Sequence, residues 1–229
     1  MDLAIKQIGH LERVTLGDRV YLELRDLLMA GKLLPNEKLS LRSVAEALGV
    51  SMMPVREAVA RLVAEGALNV LPNRAVSVPL MTQAKLSELT RIRVHIEGYA
   101  AEQAALHRSK KDLDLIRKYD DQFRKAVKDA APDAVNALRL NMELHFAIYA
   151  ASGSSVLMSI IEGLWLKVGP VINLDLRASD RLATGGAEKH HSRIVKAITN
   201  QQGPAAREAL VADIRSSSDF IIGSGRLPS

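Results

Sequence analysis

The chain has 229 residues, which is enough for two domains that each bury a core. Apolar residues make up 48% of it and aromatic residues only 3%, so helix formers such as Ala and Leu dominate and predict a mainly α-helical protein. The absence of cysteine excludes disulfides and thiolate metal sites. We expect no membrane-spanning run and see no signal-peptide core in the first residues, which predicts a cytoplasmic protein without a membrane partner.

The net charge of +5 is typical of nucleic-acid binding. Residues 1–80, however, hold ten Lys and Arg against nine Asp and Glu, so the basic excess lies mostly in the rest of the chain. Any DNA affinity of the N-terminal part must therefore come from individual arginines and from dimerisation, rather than from a general positive field.

Three helices are predicted before residue 68. The first covers residues 17–30 and ends at a glycine. Residues 39–68, LSLRSVAEALGVSMMPVREAVARLVAEGAL, then have the pattern of a helix-turn-helix. Ser40 is placed to cap its first helix, Gly49 provides the sharp turn, and Ser51 is placed to cap its second helix.

The second helix of this motif has the pattern of a recognition helix, since that element enters the major groove with its N-terminal end. The residues near that end are Met52, Met53, Arg56 and Glu57. Two short strands over residues 68–71 and 75–78 are then predicted to form a wing, with Arg74 in the turn between them. An arginine there can reach a phosphate or the minor groove. The order of elements predicts a winged helix-turn-helix DNA-binding domain at residues 1–78.

The rest of the chain predicts an all-α domain. A linker is expected at residues 79–83, a helical bundle at 84–222, a loop at 178–187 and a flexible tail at 223–229. Six or seven helices are expected, and the main ones cover 82–108, 111–129, 132–150, 155–176, 188–199 and 204–222. The apolar face predicted for the first of them consists of Leu86, Leu89, Ile92, Ile96, Tyr99 and Ala100.

Both halves resemble a known family of regulators. The segments AEALGVSMMPVREAVARLVAEGAL and PNRAVSV resemble the winged helix of the GntR family. The segments RVHIEGYAAEQAA (93–105), NMELHFAIYAASGSSVL (141–157) and HSRIVKAI (191–198) resemble the helical ligand-sensing domain of its FadR subfamily, called FCD. The resemblance implies a transcriptional regulator, usually a repressor, which binds a palindromic operator in double-stranded DNA as a homodimer. It also implies release of the operator when a small metabolite binds.

The resemblance also implies which residues contact DNA. By position they are Arg42, Ser51, Met53, Arg56 and Arg74. Met52 stands where the family usually has an arginine, which predicts that one base or phosphate contact is lost or is replaced by an apolar contact. Ala75 stands where a glycine is usual, which predicts a different turn at the wing. Outside a winged motif, Arg56 with Glu57 would fit a solvated surface pair equally well.

A metal site is implied in the helical domain. Asn141 and His145 are four residues apart, so they project from one face of a helix. The FCD pattern adds a histidine on each of two later helices, and these positions are His191 and Asp213 here, the second being a carboxylate where histidine is usual. Two imidazoles, an amide oxygen and a carboxylate suit Zn, Ni or Mn. The alternative for His145 is a hydrogen-bonded core residue.

The effector is expected to be a small organic acid. Arg93 matches the Arg-x-x-x-Glu of the family and could bind its carboxylate. Arg93 could equally be occupied by Glu97, four residues later on the same helix. Trp165 is expected to pack in the core rather than to line a pocket.

Two other functions fit the sequence less well. A helical-bundle metalloenzyme is disfavoured because the sequence has no HExxH motif and no nucleophile beside a base, and because it would leave the winged helix unexplained. A ligand-independent architectural DNA-binding protein would have no use for the second domain. We therefore predict a ligand-responsive regulator that is not an enzyme, in which the ligand shifts the population between two spacings of the recognition helices.

Overall fold

The computed structural model describes residues 15–72, 74–128, 133–176 and 186–228. The elements of the N-terminal domain are α1 (Leu16–Met29), β1 (Lys38–Leu39), α2 (Leu41–Leu48), α3 (Met52–Ala64), β2 (Asn69–Val70) and β3 (Val76–Ser77). The helices of the C-terminal domain are α4 (Gln83–His107), α5 (Lys110–Lys128), α6 (Ala134–Ala150), α7 (Ser155–Leu176), α8 (Gly186–Thr199) and α9 (Gly203–Gly223). The predicted fold class, a winged helix followed by a helical bundle, is confirmed. Most of the predicted loop at 178–187 lies outside the described residues.

The helix-turn-helix forms through the local signals that the sequence carries. The hydroxyl of Ser40 accepts a hydrogen bond from the Ser43 amide at 3.2 Å and caps α2. Gly49 ends α2 with a φ of 64°, which is a left-handed conformation that glycine adopts without steric cost. Ser51 occupies the N-cap position of α3 as predicted, but its side chain makes no cap hydrogen bond. That hydroxyl is therefore not engaged in holding the helix end.

The wing has three strands rather than the two that the sequence predicts. Strand β3 lies in the centre and pairs antiparallel with both β1 and β2. Lys38 of β1 and Asn69 of β2 both lie opposite Ser77. Strand β1 is only two residues long, so it carries no alternating pattern by which the sequence could reveal it.

Helix α1 packs across α3 and holds the recognition helix in place. Val20, Leu24 and Leu28 of α1 are buried, and α1 contacts α3. At the edge of this contact the Arg61 guanidinium lies 3.9 Å above the Tyr21 ring and 2.6 Å from a carboxylate oxygen of Asp18. The recognition helix is thus fixed by apolar packing with a polar clamp at its rim.

The buried face of α4 differs from the predicted one. Ile92 and Tyr99 were expected inside, but they are 43% and 49% exposed. The face that packs against the bundle instead contains Arg93 and Glu97, which are both buried. An apolar periodicity cannot assign these two residues to the core, because charged side chains are buried only when they are paired.

Helix α7 packs against elements of both domains. An 18-residue window, Ser155–Ile172, is long and apolar enough to cross a membrane, so the expectation that no such run exists is wrong. Half of this window is buried in the protein, as expected for a core helix. The helix contacts both α1 and the rest of the bundle, and Gly169 allows this because a Cβ there would lie 2.3 Å from the carbonyl oxygen of Leu28.

The last described residues pack against the start of α4, in contrast to the flexible tail expected at 223–229. Leu227 is buried, and its carbonyl accepts a hydrogen bond from the Gln83 side chain at 3.2 Å. The Gln83 amide donates to the carbonyl of Pro228 at 2.9 Å. The tail therefore covers the start of α4, where free amides of the first helical turn need acceptors.

Candidate functional site

Three helices of the C-terminal domain bring a cluster of polar side chains into its interior. His145 of α6, His191 of α8 and Asp213 of α9 are all buried, and one potential ligand atom of each lies within 4.8 Å of the others. The Nε2 of His145 is 3.3 Å from a carboxylate oxygen of Asp213, and the ring centroids of the two histidines are 5.4 Å apart. The three side chains could therefore contribute ligands to a single ion.

A small cavity opens beside this cluster. Its polar lining consists of Arg93, Asn141, His145, Asp213 and Ser217, and its apolar wall includes Trp165 and Ile172. The predicted residues Asn141, His145, His191 and Asp213 thus lie at or next to one cavity, and His191 rather than its neighbour His190 belongs to the cluster.

The charge states in the cluster suit metal coordination. Burial lowers the pKa of His191 to about 4, so its imidazole is neutral near pH 7. Burial opposes ionisation of Asp213, but the hydrogen bond from His145 and the charge interactions with His191, His145 and His190 outweigh it and lower the pKa of Asp213 to about 2. A neutral imidazole and a carboxylate are the forms that bind metals.

His191 carries the strongest sign of an additional partner. Both of its ring nitrogens are buried, and neither has a hydrogen-bond partner within the described part of the chain. An unsatisfied buried polar group costs about 1–3 kcal/mol, so buried groups nearly always have a partner. The ring of Phe123 packs at 4.6 Å between centroids and holds the imidazole from another side. The residues present therefore fit a metal ion.

A second buried network lies beside the cluster and is centred on Glu97. This carboxylate accepts hydrogen bonds from Arg93 Nε at 2.6 Å and Nη2 at 3.1 Å, from the Tyr149 hydroxyl at 2.5 Å and from Trp165 Nε1 at 3.2 Å. Burial together with the charge of Glu97 raises the pKa of Tyr149 well above its usual range. Tyr149 also lies 3.0 Å from His145 Nδ1, so the network reaches the metal-type cluster.

This network bears on two expectations, the role of Arg93 and the position of Trp165. The intrahelical pair between Arg93 and Glu97 exists, and Arg93 lines the cavity as well. Trp165 is buried as expected but also forms a cavity wall. Tyr149 was not predicted, although it follows Asn141 and His145 at the same four-residue spacing on α6.

The predicted DNA contacts lie on the winged domain with different exposures. Arg42 is exposed and pairs with Glu46 at 2.9 Å. Met53 is 65% exposed. Met52 is half-buried and packs against the core, which differs from the exposed position expected for it. Arg56 is exposed on the next turn of α3.

One groove joins the recognition helix to the wing. Arg56 of α3 and Arg74 of the wing both line it, with apolar side chains such as Leu41, Val70 and Val76 between them. Arg74 has a φ of 62°, which places it in a left-handed turn at the strand connection. Two residues 18 positions apart in sequence thus present their cations along one surface.

A winged helix with two arginines along one groove, joined to a helical bundle with a small polar cavity, defines a DNA-binding transcriptional regulator. Comparison with known protein families assigns each half of the chain to its own family model. The family model "Bacterial regulatory proteins, gntR family" matches residues 16–78, and the FCD domain model matches residues 88–216.

Several known transcriptional regulators are similar to this chain over most of its length. The HTH-type transcriptional regulator McbR of Escherichia coli (strain K12) is 33% identical over 162 residues, which cover 71% of this chain and 72% of that protein. The solved structure of E. coli McbR/YncC matches with a TM-score of 0.86 at 27% identity, covering 93% of this chain and 100% of that one. A putative GntR transcriptional regulator from Rhodococcus sp. RHA1 shares the fold, with a TM-score of 0.74 at 22% identity over 91% of this chain and 98% of that one.

The chain belongs to the GntR family of DNA-binding transcriptional regulators and, with its FCD domain, to the FadR subfamily. Membership confirms the prediction of a regulator that is not an enzyme.

Proposed function

We propose that the protein is a homodimeric repressor that releases a palindromic operator when a small organic acid binds beside a divalent metal in the helical domain. The observation that carries this proposal is the buried cluster of His145, His191 and Asp213, with two unpartnered nitrogens on His191 among the described residues. Such a cluster destabilises a domain unless a bound ion satisfies it.

The metal would be held by the two imidazoles, the Asp213 carboxylate and the side-chain oxygen of Asn141. This donor set suits Zn, Ni or Mn. When bound, the metal would supply a positive centre for the carboxylate of an effector. Tyr149 supports the arrangement, because its hydroxyl at Nδ1 of His145 fixes the ring with Nε2 toward Asp213.

Arg93 provides a second anchor for an acid. Its hydrogen bonds to Glu97 use Nε and Nη2, and Nη1 takes part in neither of them. The guanidinium also lies 5.5 Å from the Trp165 ring, so its position is fixed on two sides. A carboxylate in the cavity could therefore bind Arg93 without displacing Glu97.

On the DNA side, Arg56 and Arg74 are proposed to reach a base edge and a phosphate from their shared groove. The Ser51 hydroxyl makes no cap hydrogen bond at the start of α3, and we propose that it binds a phosphate, as at other helix N-termini. Met53 would supply an apolar contact such as one to a thymine methyl, whereas Met52 would act through packing behind it. Arg42 would have to exchange Glu46 for a phosphate, which costs little at an exposed pair.

A homodimer is supported by the exposed face of α4. Ile92, Tyr99 and Leu106 recur every seven residues on that face, and each is nearly half exposed. A large apolar stripe at this spacing is typical of a helix that packs against another helix. We propose a second copy of this chain as the partner, since a palindromic operator requires two-fold symmetry.

Helix α7 is proposed to transmit the ligand signal. Trp165 and Ile172 line the cavity, while Gly169 of the same helix touches the backbone of α1 in the DNA-binding domain. A ligand that moves α7 would therefore change the spacing of the two recognition helices and shift the population between DNA-binding and released states.

The proposal can be tested with the full chain. DNA sites are first selected from random duplexes, and binding is followed by fluorescence anisotropy while small mono- and dicarboxylic acids are added to metal-loaded protein. We expect palindromic sites, release by at least one acid, and retention of DNA binding but no release in His145→Ala and His191→Ala variants. Loss of DNA binding by a folded variant would show that the cluster is structural rather than regulatory.

A further inference from the structure

A second cavity, separate from the histidine cluster, lies at the junction of the two domains. It is bounded by the end of α3, the segment that links β3 to α4, the start of α4 and the middle of α7. Its volume of about 360 Å³ falls in the range of small-molecule sites, which is about 300–1,000 Å³. It lies on the side of α7 that includes Leu166 and Pro170, whereas the first cavity is lined by Trp165 and Ile172.

The lining is apolar apart from two cations. Met81, Leu89 and Val171 are buried and form part of its floor. Among the described residues that line it, the charged ones are Lys85 and Lys167, and none is acidic. The cavity thus combines an apolar body with two lysines at its rim.

Each of the two lysines makes only a weak interaction with its present partner. Lys85 pairs with Glu88 at 2.8 Å, and both side chains are about half exposed, where such pairs contribute about 0–1 kcal/mol. The Lys167 ammonium donates to the carbonyl oxygen of Gly163 at 3.1 Å, which is a neutral acceptor on the same helix. A carboxylate entering the cavity could therefore bind either ammonium group without breaking a strong interaction.

We propose that this junction cavity is a second ligand site, which binds a small amphipathic carboxylate with its chain against the apolar lining and its carboxylate at Lys85 and Lys167. The site is independent of the metal cluster and needs no metal.

A ligand in this cavity would lie next to the contact between α7 and α1, where the two domains meet. Pro170 lines it and cannot donate a hydrogen bond to the Leu166 carbonyl, so α7 is weakened at this point. Gly169, the residue before it, lies against the backbone of α1. A ligand here would therefore alter the same contact through which α7 meets the DNA-binding domain.

The test is isothermal titration of the full chain with octanoate and, separately, with the uncharged octan-1-ol. We expect octanoate to bind about tenfold more tightly than octan-1-ol, and the double variant Lys85→Gln/Lys167→Gln to lose about that factor. The matched control is Lys111→Gln/Lys189→Gln, which removes two exposed lysines away from the cavity and should bind as the parent does. Equal affinity for the acid and the alcohol would overturn the proposal.

Three further variants separate this site from the metal cluster and do not depend on removing the lysines. Leu80 is half exposed at the edge of the cavity, so Leu80→Asp adds a negative charge without disturbing the core and should weaken octanoate binding relative to Leu80→Asn. The His145→Ala/His191→Ala protein should bind octanoate unchanged. Loss of binding in that protein, or equal binding by the two Leu80 variants, would place octanoate elsewhere and refute the junction site.

Discussion

The close approach of α7 to α1 can be tested by adding a single methyl group. In Gly169→Ala, the new Cβ would lie 2.3 Å from the Leu28 carbonyl oxygen and 2.8 Å from both the Cα and the oxygen of Met29. Non-bonded heavy atoms prefer about 3.5–4 Å, so the helices would have to separate by about 1 Å. The obstructing atoms belong to the backbone, which cannot rotate away as a side chain could.

The size of the effect follows from two opposing contributions. Overpacking of this kind costs about 1–3 kcal/mol, while replacing glycine by alanine inside a helix stabilises it by about 1 kcal/mol. Gly163 lies on the same helix, and a Cβ there would meet nothing within 4 Å, so Gly163→Ala keeps only the favourable contribution. The difference in the free energy of unfolding between the two variants should therefore be about 1–3 kcal/mol.

Urea unfolding at one protein concentration measures this difference, and the DNA affinity of both variants with and without effector measures its consequence. We expect Gly169→Ala to be the less stable and to respond less to effector, whereas Gly163→Ala should respond as the parent does. If both alanine variants were stabilised to the same extent, α7 and α1 would not be in contact at Gly169 and the proposed route of the signal would be wrong.

Three further predictions concern the recognition helix and the buried polar groups. Arg56→Ala should weaken specific DNA binding by about 1–3 kcal/mol in anisotropy titrations without lowering the melting temperature, and unchanged affinity would exclude Arg56 from the interface. Tyr149→Phe removes one donor to the buried Glu97 and should cost about 1–3 kcal/mol in urea unfolding, whereas an unchanged midpoint would show that this hydroxyl is replaceable. The pKa of His191 is lowered from 6.5 to about 4, so between these pH values the unfolded chain takes up a proton that the folded chain does not. The free energy of unfolding of metal-free protein should therefore fall by up to about 3 kcal/mol as the pH falls from 6.5 to 4. A His191→Gln variant should lack that slope, and an equal slope in both proteins would contradict the assignment.

The winged domain could be predicted almost completely from local signals. Ser40 and Gly49 act through their own backbone and their immediate neighbours, so their roles are visible in sequence. Strand β1 and the half-buried position of Met52 depend instead on contacts with distant residues. No short pattern encodes those contacts.

The helical domain was predicted in outline, but its interior was not. The face of α4 was misassigned because Arg93 and Glu97 occupy core positions, where periodicity expects apolar residues. They can be buried only because Glu97 receives hydrogen bonds from Tyr149 and Trp165 on two other helices. A single sequence does not reveal that these four side chains meet.

Helical spacing and the family pattern predicted different members of the histidine cluster. The spacing of Asn141 and His145 places both on one face, but only the family pattern pointed to His191 and Asp213 on other helices. The structure adds the pairing of His145 with Asp213 and the unpartnered nitrogens of His191 in the described residues. Together these features make the cluster a candidate for an ion rather than a set of ordinary core residues.

Metal analysis of the purified full-length protein tests the central claim most directly, with His145→Ala/His191→Ala as the matched control. The account predicts about one divalent ion per chain in the parent protein and its loss in the folded control. If the parent held no metal even after reconstitution with Zn, Ni or Mn, the carboxylate at Asp213 would not complete a metal site. Arg93 and its neighbours would then have to recognise the effector alone.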